Sequence, residues 1–480
     1  MDIREKCTKL LEELVDGINA GDFTDAEAIP NQYTYAHLWA LFQFVDVLDG
    51  GRQLYEQLYD LVVQCGKSAI RDKIQRGEKV RVAFLAISAA EWPAEDVYRF
   101  LEDDKRCESY VVVCPLIDRD KYSMEQTYLQ TCEYLEQSGH EVRRTYDLES
   151  GLCVGWEAVG GIPDILIHLT PWYRSVAEEF QIEKLPLRCV NCYIPYAFYV
   201  ADSADGNFMQ DFVYNKEFVN MMWRLYSDSK NNLEGYRRHQ LLQGKNVIYS
   251  GYAKMDYFFQ NKQYQESEIR EMWKIPPDAD VKKIKKVIIA PHHTFRSSAG
   301  LIFSTFAWNM YFWLYLAKKY ADRIAFIFKP HPNLGTRAVA AGVFESFDAY
   351  EAYLAEWNSL ANAKVVQEAD YRGLFATSDG MIMDSGSFLA EYMYVAKPML
   401  FLTRSGQAFN TLGRKILKGY YKERGEDYVG IENFLEQVIL GEKDELAGIR
   451  NEIFEEELNY YKENQRLASE CIYEDISALF

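Results

Sequence analysis

The feature that most constrains this chain is an alternation that begins near residue 80. Short apolar runs of strand length are separated by stretches of helical periodicity. Residues 80–87, 110–114, 141–146, 164–169 and 187–193 form a first series of such runs. Residues 93–101 lie between two of them with helical spacing, and a helix ending near Gly139 is expected to start in a capping box of Ser123 and Gln126. A second series follows at 246–249, 286–290, 324–328, 363–367, 380–383 and 398–402, with a long helix expected over roughly 301–320. Strands alternating with helices imply βαβ units and largely parallel sheets. With 480 residues the chain exceeds what one core supports. The expectation is therefore an α/β protein with three parts. Residues 1–78 are a helical region, 79–254 a first Rossmann-like lobe, and 255–480 a second Rossmann-like lobe ending in helices, with the lobes facing a cleft.

The helical region carries Ile3, Cys7, Leu10, Leu14 and Ile18 at helical spacing and a second periodic stretch over about 37–74. No chemical motif stands out there, and His37, among Tyr35, Leu38 and Trp39, reads as a packed residue. The net charge of −19 repels phosphate backbones, which argues against nucleic-acid partners and against a broad basic surface for anionic lipid. Nine scattered Cys read as reduced thiols. Cys189 and Cys192 fall on opposite faces of a strand, which argues against a metal or redox pair. The most apolar helical stretch, 303–317, is interrupted by Asn309 and too short to span a bilayer. A cytoplasmic protein is expected, with peripheral contact at a membrane face left open.

In open parallel sheets, ligands bind beyond the carboxyl ends of the strands. Three polar clusters follow directly on strong runs of the second series. Pro291-His292-His293-Thr294-Phe295-Arg296-Ser297-Ser298 places two imidazoles, a guanidinium and three hydroxyls past one strand, a set of donors suited to phosphate. Lys329-Pro330-His331-Pro332 fixes one imidazole between two prolines. Asp384-Ser385-Gly386-Ser387 is expected to pass from a strand into a helix, whose free N–H groups would bind phosphate; Glu391 lies a turn further on, within reach of a ribose hydroxyl or a cap donor. Each has a plainer reading as a turn, a cap or a satisfied side chain. No Gly-Lys-Ser/Thr loop, G-x-G-x-x-G fingerprint or Gly-x-Ser-x-Gly elbow is present. No metal is expected, because neither a carboxylate nor a third His lies close in sequence to His292 and His293.

Taken together and in order, these segments resemble the CDP-glycerol glycerophosphotransferase family of teichoic-acid synthesis. That family shows Gly-Tyr-Pro-Arg-x-Asp, Ala-Pro-Thr-x-Arg, Lys-x-His-Pro and Asp-Tyr-Ser-Ser segments. Here the series reads Gly251-Tyr252-Ala253-Lys254-Met255-Asp256, Ala290 to Arg296, Lys329 to Pro332 and Asp384 to Ser387, followed by Lys397-Pro398-Met399-Leu400-Phe401. The match covers roughly 245–405. The resemblance implies a GT-B fold, no cofactor, a CDP-activated donor, and a lipid-linked or glycan acceptor in a teichoic-acid-like or capsule polymer. It implies a donor diphosphate held by His331, Arg296 and Ser387 and by His292 or His293. Lys329, Asp384, Ser385, Gly386, Glu391 and Gly251 complete the expected substrate contacts, and His331 is expected to be catalytic. The family's His-Gly-Thr-Pro segment, with its presumed base, is absent. Tyr193-Ile194-Pro195-Tyr196 stands nearest its position, and His168 is the candidate base. Two alternatives stay open: a glycosyltransferase using a nucleotide sugar, and a nucleotide-binding scaffold without activity.

Overall fold

The computed structural model describes residues 33–296 and 301–480, together with residues 9, 11–13 and 16. The expected first helix falls largely outside the described residues, as do Ser297 and Ser298. The chain divides into two compact units. One comprises 1–197, 213–254 and 460–480, and the other 198–212 and 255–459.

The first unit is built on a seven-stranded sheet. Its strands are β1 (Val80–Ala86), β2 (Cys107–Val113), β3 (Val142–Arg144), β4 (Ile165–His168), β5 (Val190–Tyr193), β6 (Arg224–Ser227) and β7 (Val247–Tyr249), in the order β7-β6-β5-β4-β1-β2-β3. Every neighbouring pair is parallel. The central strands are largely apolar and buried on both faces, with Arg81 and Glu108 as half-buried exceptions near their starts, as a sheet covered by helices on each side requires. Helix α1 (Ala36–Phe44) and the long helix α2 (Gly51–Gln75) belong to this unit rather than forming a separate cap. At Gly66 a Cβ would come within 2.7 Å of Val190 Cγ2, so α2 lies close on the sheet. The Tyr55 and Tyr59 hydroxyls donate to the Asn220 and Met222 carbonyls at 3.1 and 2.9 Å.

The second unit carries a six-stranded sheet of β8 (Lys285–Ala290), β9 (Ile324–Phe328), β10 (Ala363–Val365), β11 (Gly380–Met383), β12 (Met399–Thr403) and β13 (Tyr421–Arg424), in the order β10-β9-β8-β11-β12-β13. It too is parallel throughout. Helix α3 (Phe306–Lys319) packs Phe306, Trp313, Leu316 and Ala317 into one core with Val287, Phe326, Phe328 and Trp357.

Several local expectations differ from what is found. The helix Lys121–Gln137 is capped by Asp120, whose carboxylate accepts from Ser123 N–H at 3.0 Å, and not by Ser123 with Gln126. Strands β6 and β13 were not expected. The tail divides: residues 460–480 return to the first unit, where the Arg224 guanidinium donates to Asp475 at 3.1 Å and Tyr473 to Asp104 at 3.0 Å.

Candidate functional site

In the second sheet the chain starts at the centre with β8, steps outward to β9 and β10, then reverses to add β11, β12 and β13 on the other side. The loops leaving β8 and β11 therefore part in opposite directions, and a sheet wound this way receives ligands at that point. Two of the expected polar clusters follow these strands, and the third follows β9.

Asp384 is the frame of this region. It is 1% exposed, and burial raises its carboxyl to about 6 despite the donors around it. Oδ1 accepts from His292 N–H at 2.6 Å; Oδ2 accepts from Thr305 N–H at 2.5 Å and the Thr305 hydroxyl at 2.8 Å. Both oxygens are thus spent on tying the β8 loop to the start of α3. Thr294 adds a second tie, its hydroxyl oxygen accepting from Phe303 N–H at 2.9 Å. Arg404, just past β12, donates to the Ser304 carbonyl at 2.6 Å and holds the same segment.

On this frame three imidazoles meet. Ring centroids of His292 and His293 are 4.3 Å apart, those of His293 and His331 4.0 Å, and those of His292 and His331 5.4 Å. The structure thus brings to His292 and His293 the third histidine that sequence neighbourhood lacked. One ring nitrogen from each lies within 4.8 Å of the others, a spacing compatible with a metal ion. The hydrogen bonds favour a different use. Asn333 N–H donates to His331 Nδ1 at 3.1 Å, and Thr294 N–H donates to His292 Nδ1 at 3.3 Å. A backbone N–H can only donate, so each Nδ1 is an acceptor, and in the neutral ring the proton sits on Nε2. A metal on Nε2 would need the opposite tautomer. Burial, with His293 adjacent, keeps His292 well below its ordinary titration range. Burial, with the Arg337 guanidinium beside it, pushes His293 down to about 4. His293 Nδ1 is sealed and has no hydrogen-bond partner. The cluster thus presents ring N–H donors, neutral at His292 and His293, which suit an anion.

The other expected contacts are distributed more widely. Arg296 is exposed on the β8 loop, close in sequence to His292 and His293. Lys329 is 8% exposed, and its ammonium donates to the Glu368 carbonyl at 2.9 Å and lies 5.8 Å from the Tyr371 ring centre. Glu391 is buried and accepts from the Tyr371 hydroxyl, so it is a core partner and not a ribose contact. No α-helix starts at Ser387. The chain passes through a turn into a 3-10 segment at Glu391–Val395, and the Ser385 hydroxyl oxygen accepts from Ser387 N–H at 3.0 Å. A helix terminus is therefore not what Ser385 and Ser387 offer. A Cβ at Gly386 would meet Ala201 Cβ at 3.5 Å and Val200 Cγ2 at 3.7 Å, ordinary contacts, so packing does not demand glycine there.

Two expected residues lie in the first unit. Gly251, at φ +88°, is pressed by the Tyr460 ring, which a Cβ would approach to 2.1 Å; its need for glycine is steric. His168 ends β4, is 2% exposed, and its Nε2 lies 2.9 Å from Asn191 Oδ1. Burial lowers it to about 4. Sealed in this way it has no access to a substrate and is a core residue, not a base. Sequence reasoning counted Thr294 among the hydroxyls of its loop and missed Thr305, Arg337 and Arg404. Arg337 carries one readable signal, its position four residues after Asn333, which places it one helical turn beyond the His331 loop.

The model of the family described as CDP-Glycerol:Poly(glycerophosphate) glycerophosphotransferase matches residues 202–476, more than half of the chain. No curated protein matches in a sequence search. Among solved structures, a variant of the wall teichoic acid polymerase TagF is 13% identical with a TM-score of 0.52, covering 99% of each chain. Another TagF structure is 11% identical with a TM-score of 0.50, again over 99% of each chain. UDP-GlcNAc 2-epimerase from Neisseria meningitidis, bound to UDP-GlcNAc, is 15% identical with a TM-score of 0.46, covering 83% of this chain and 100% of its own. The TagF likeness agrees with the GT-B-like reading of two parallel, doubly wound sheets. By the family match this chain belongs to the CDP-glycerol:poly(glycerophosphate) glycerophosphotransferases.

Proposed function

We propose that the Nε2–H groups of His292 and His331, with His293 between them, hold the diphosphate of CDP-glycerol, and that Arg296 and Arg337 add charge at the rim. An acceptor hydroxyl attacks the glycerol-side phosphorus, and CMP leaves. The barrier to such a transfer is lowered by positioning and by donors aimed where charge develops on the phosphoryl oxygens. Imidazoles held on a fixed frame meet that need without reorganising. Asp384, Thr294, Thr305 and Arg404 are positioning residues. The observation that carries the reading is the pair of backbone N–H groups that set His292 and His331 as Nε2–H donors.

The acceptor in this reading is a hydroxyl on a cell-surface polymer precursor, teichoic-acid-like or capsular. No helix among the described residues is long and apolar enough to cross a membrane. A lipid-linked acceptor would therefore bring the enzyme to the inner face of the membrane as a peripheral protein. The test is product analysis with radiolabelled CDP-glycerol. Release of CMP in step with glycerol phosphate incorporation is expected; release of a nucleoside diphosphate from a nucleotide sugar, with no CMP from CDP-glycerol, would refute the assignment.

A further inference from the structure

Helix α3 of the second unit has two apolar faces. One, with Phe306, Trp313 and Ala317, packs into the core against the sheet. The other consists of Ala307, Trp308, Tyr311, Phe312 and Tyr315, all exposed except the half-buried Phe312. Positions 308, 311, 312 and 315 recur every three or four residues and so form one stripe along the helix. Asn309 is buried, its amide donating to the Thr305 carbonyl at 3.2 Å. The outward stripe therefore carries no amide or charged side chain until Lys318 and Lys319 end the helix. A helix apolar all round is ordinarily covered all round.

The stripe continues onto a neighbour. Tyr428 and Val429 open the short helix Tyr428–Asn433 and are exposed. The Tyr428 ring centre lies 4.5 Å from that of Phe312, and its hydroxyl donates to the Trp308 carbonyl at 2.7 Å. Phe312 stacks on Tyr315 with centres 5.9 Å apart and planes 20° apart. The rings are thus held by one another, so a partner has little ordering entropy to overcome. Trp308, Tyr311, Tyr315 and Tyr428 are between 42% and 67% exposed. At about 200 Å² for a whole aromatic side chain they present roughly 400 Å², a continuous patch of the size that marks an interaction surface. Two such faces would bury about 800 Å² before Val429 and the rim are added, close to the roughly 1,000 Å² that a specific interface needs.

The charges at the rim choose the partner. Lys318 and Lys319 stand at the C-terminal end of the stripe. Glu426 and Asp427 are exposed beside its N-terminal end, next to Gly425, where a Cβ would approach Trp308 Cε3 to 3.0 Å. Lys318 pairs with Glu356 at 2.7 Å, Lys319 with Glu432 and Glu426 with Arg424, all at the surface, where such pairs are worth little and can exchange. An anionic lipid surface would be repelled by Glu426 and Asp427, and both lysines are already paired. A second copy fits better. A two-fold axis across α3 sets the lysines of one chain opposite the carboxylates of the other, with Tyr311, near the middle of the stripe, beside the axis.

We propose that the chain pairs with itself through this face of α3 as a two-fold dimer. The pairing does not depend on what the histidine loops bind. Sedimentation equilibrium of the full chain should show a monomer–dimer equilibrium in the micromolar range. Tyr311→Glu sets two like charges beside the axis and should raise the dimer Kd at least about 30-fold, the cost of losing an interface anchor. Its circular dichroism spectrum should match wild type, since the ring stands outside the core. The thermal midpoint of wild type should rise with protein concentration, and that of Tyr311→Glu should not. Two further variants probe the geometry at exposed positions. Lys318→Glu and Glu426→Lys should each weaken the dimer about tenfold, because the symmetry repeats the like-charge contact. An equal mixture of the two should associate as tightly as wild type. A wild-type chain that stays monomeric throughout the micromolar range would overturn the proposal. So would a Tyr311→Glu dimer of wild-type affinity, or a mixture of the charge variants that associates no better than either alone. Wild-type monomer that co-sediments with phosphatidylglycerol vesicles, and loses this in Tyr311→Glu, would assign the face to lipid and overturn the dimer.

Discussion

In the second unit, the loops after β8, β9 and β11 gather three imidazoles around a frame set by Asp384. In the first, β4 ends in a single imidazole, His168, sealed against Asn191. The two sheets share a winding, out from the centre on one side and then back across it. The imidazoles differ in what they meet, although burial lowers their titration in both units. In the second, burial strips the charge from His292 and His293, while a backbone N–H sets His292 as an Nε2–H donor. In the first, the His168 ring nitrogen is spent on Asn191. A shared winding does not make a site by itself; the partners of each side chain decide.

This contrast can be broken most sharply at His331. Removing a single donor of this kind from a charge-stabilising site costs about 100- to 1,000-fold in rate. His331→Ala should lose activity on that scale in CMP-release assays and keep its circular dichroism spectrum, since His331 is only half-buried. Retention of wild-type turnover would remove the imidazoles from the mechanism.

Asp384→Ala tests whether the frame is separable from the donors. It strands the His292 and Thr305 N–H groups and the Thr305 hydroxyl, each a buried donor worth roughly 1–3 kcal/mol when unpaired. The thermal midpoint should drop by several degrees and activity should fall with it. A variant that melts like wild type would show that the β8 loop is held by other contacts.

A third measurement contrasts acid sensitivity. The folded state holds His168 and His293 at about 4, below the ordinary value for histidine, so it binds fewer protons than the unfolded chain between about pH 6.5 and pH 4. Stability is then lost as pH falls through that window. For His168, which is fully enclosed, the loss between pH 7 and pH 5 is roughly 2 kcal/mol. His168→Gln should flatten this part of the midpoint-versus-pH curve and, after correction for folded fraction, keep transfer within about twofold of wild type, since a core residue touches no substrate. A large loss of kcat with a normal fold would restore His168 as a base.

The smallest effect is expected at Gly386. Because a Cβ there makes only ordinary contacts, Gly386→Ala should leave the thermal midpoint almost unchanged. If donor phosphate lies against this backbone, CDP-glycerol affinity should fall about tenfold, or roughly 1.4 kcal/mol, by calorimetry.

Much of the fold was legible because buried parallel strands must be apolar on both faces. Residues 80–86, 324–328 and 380–383 advertise themselves in this way. The strands that escaped notice carry weaker signals. Tyr421–Arg424 lies at a sheet edge with alternating exposure, and Arg224–Ser227 is short and begins with a charged residue. Of the site, the loops that follow strands were readable, whereas the partner of each side chain was not. Asp384 and Glu391 look like ligand contacts in sequence; their hydrogen bonds to Thr305 and Tyr371 are made across many residues that no local pattern reveals. His168 illustrates the same limit, since a histidine ending an apolar strand reads alike whether it points to the core or to a ligand.

The return of residues 460–480 to the first unit has a bearing on the order of synthesis. Ribosomes release chains from the N-terminus, so the domain begun first usually folds first. Here the second unit has all its residues once position 459 has emerged. The first, begun earlier, still lacks Tyr460 against Gly251 and Asp475 for Arg224. A nascent chain stalled just short of residue 460 would carry every described residue of the second unit and an unfinished neighbour upstream of it. A helix made after the whole of the second sheet thus completes the unit begun before it.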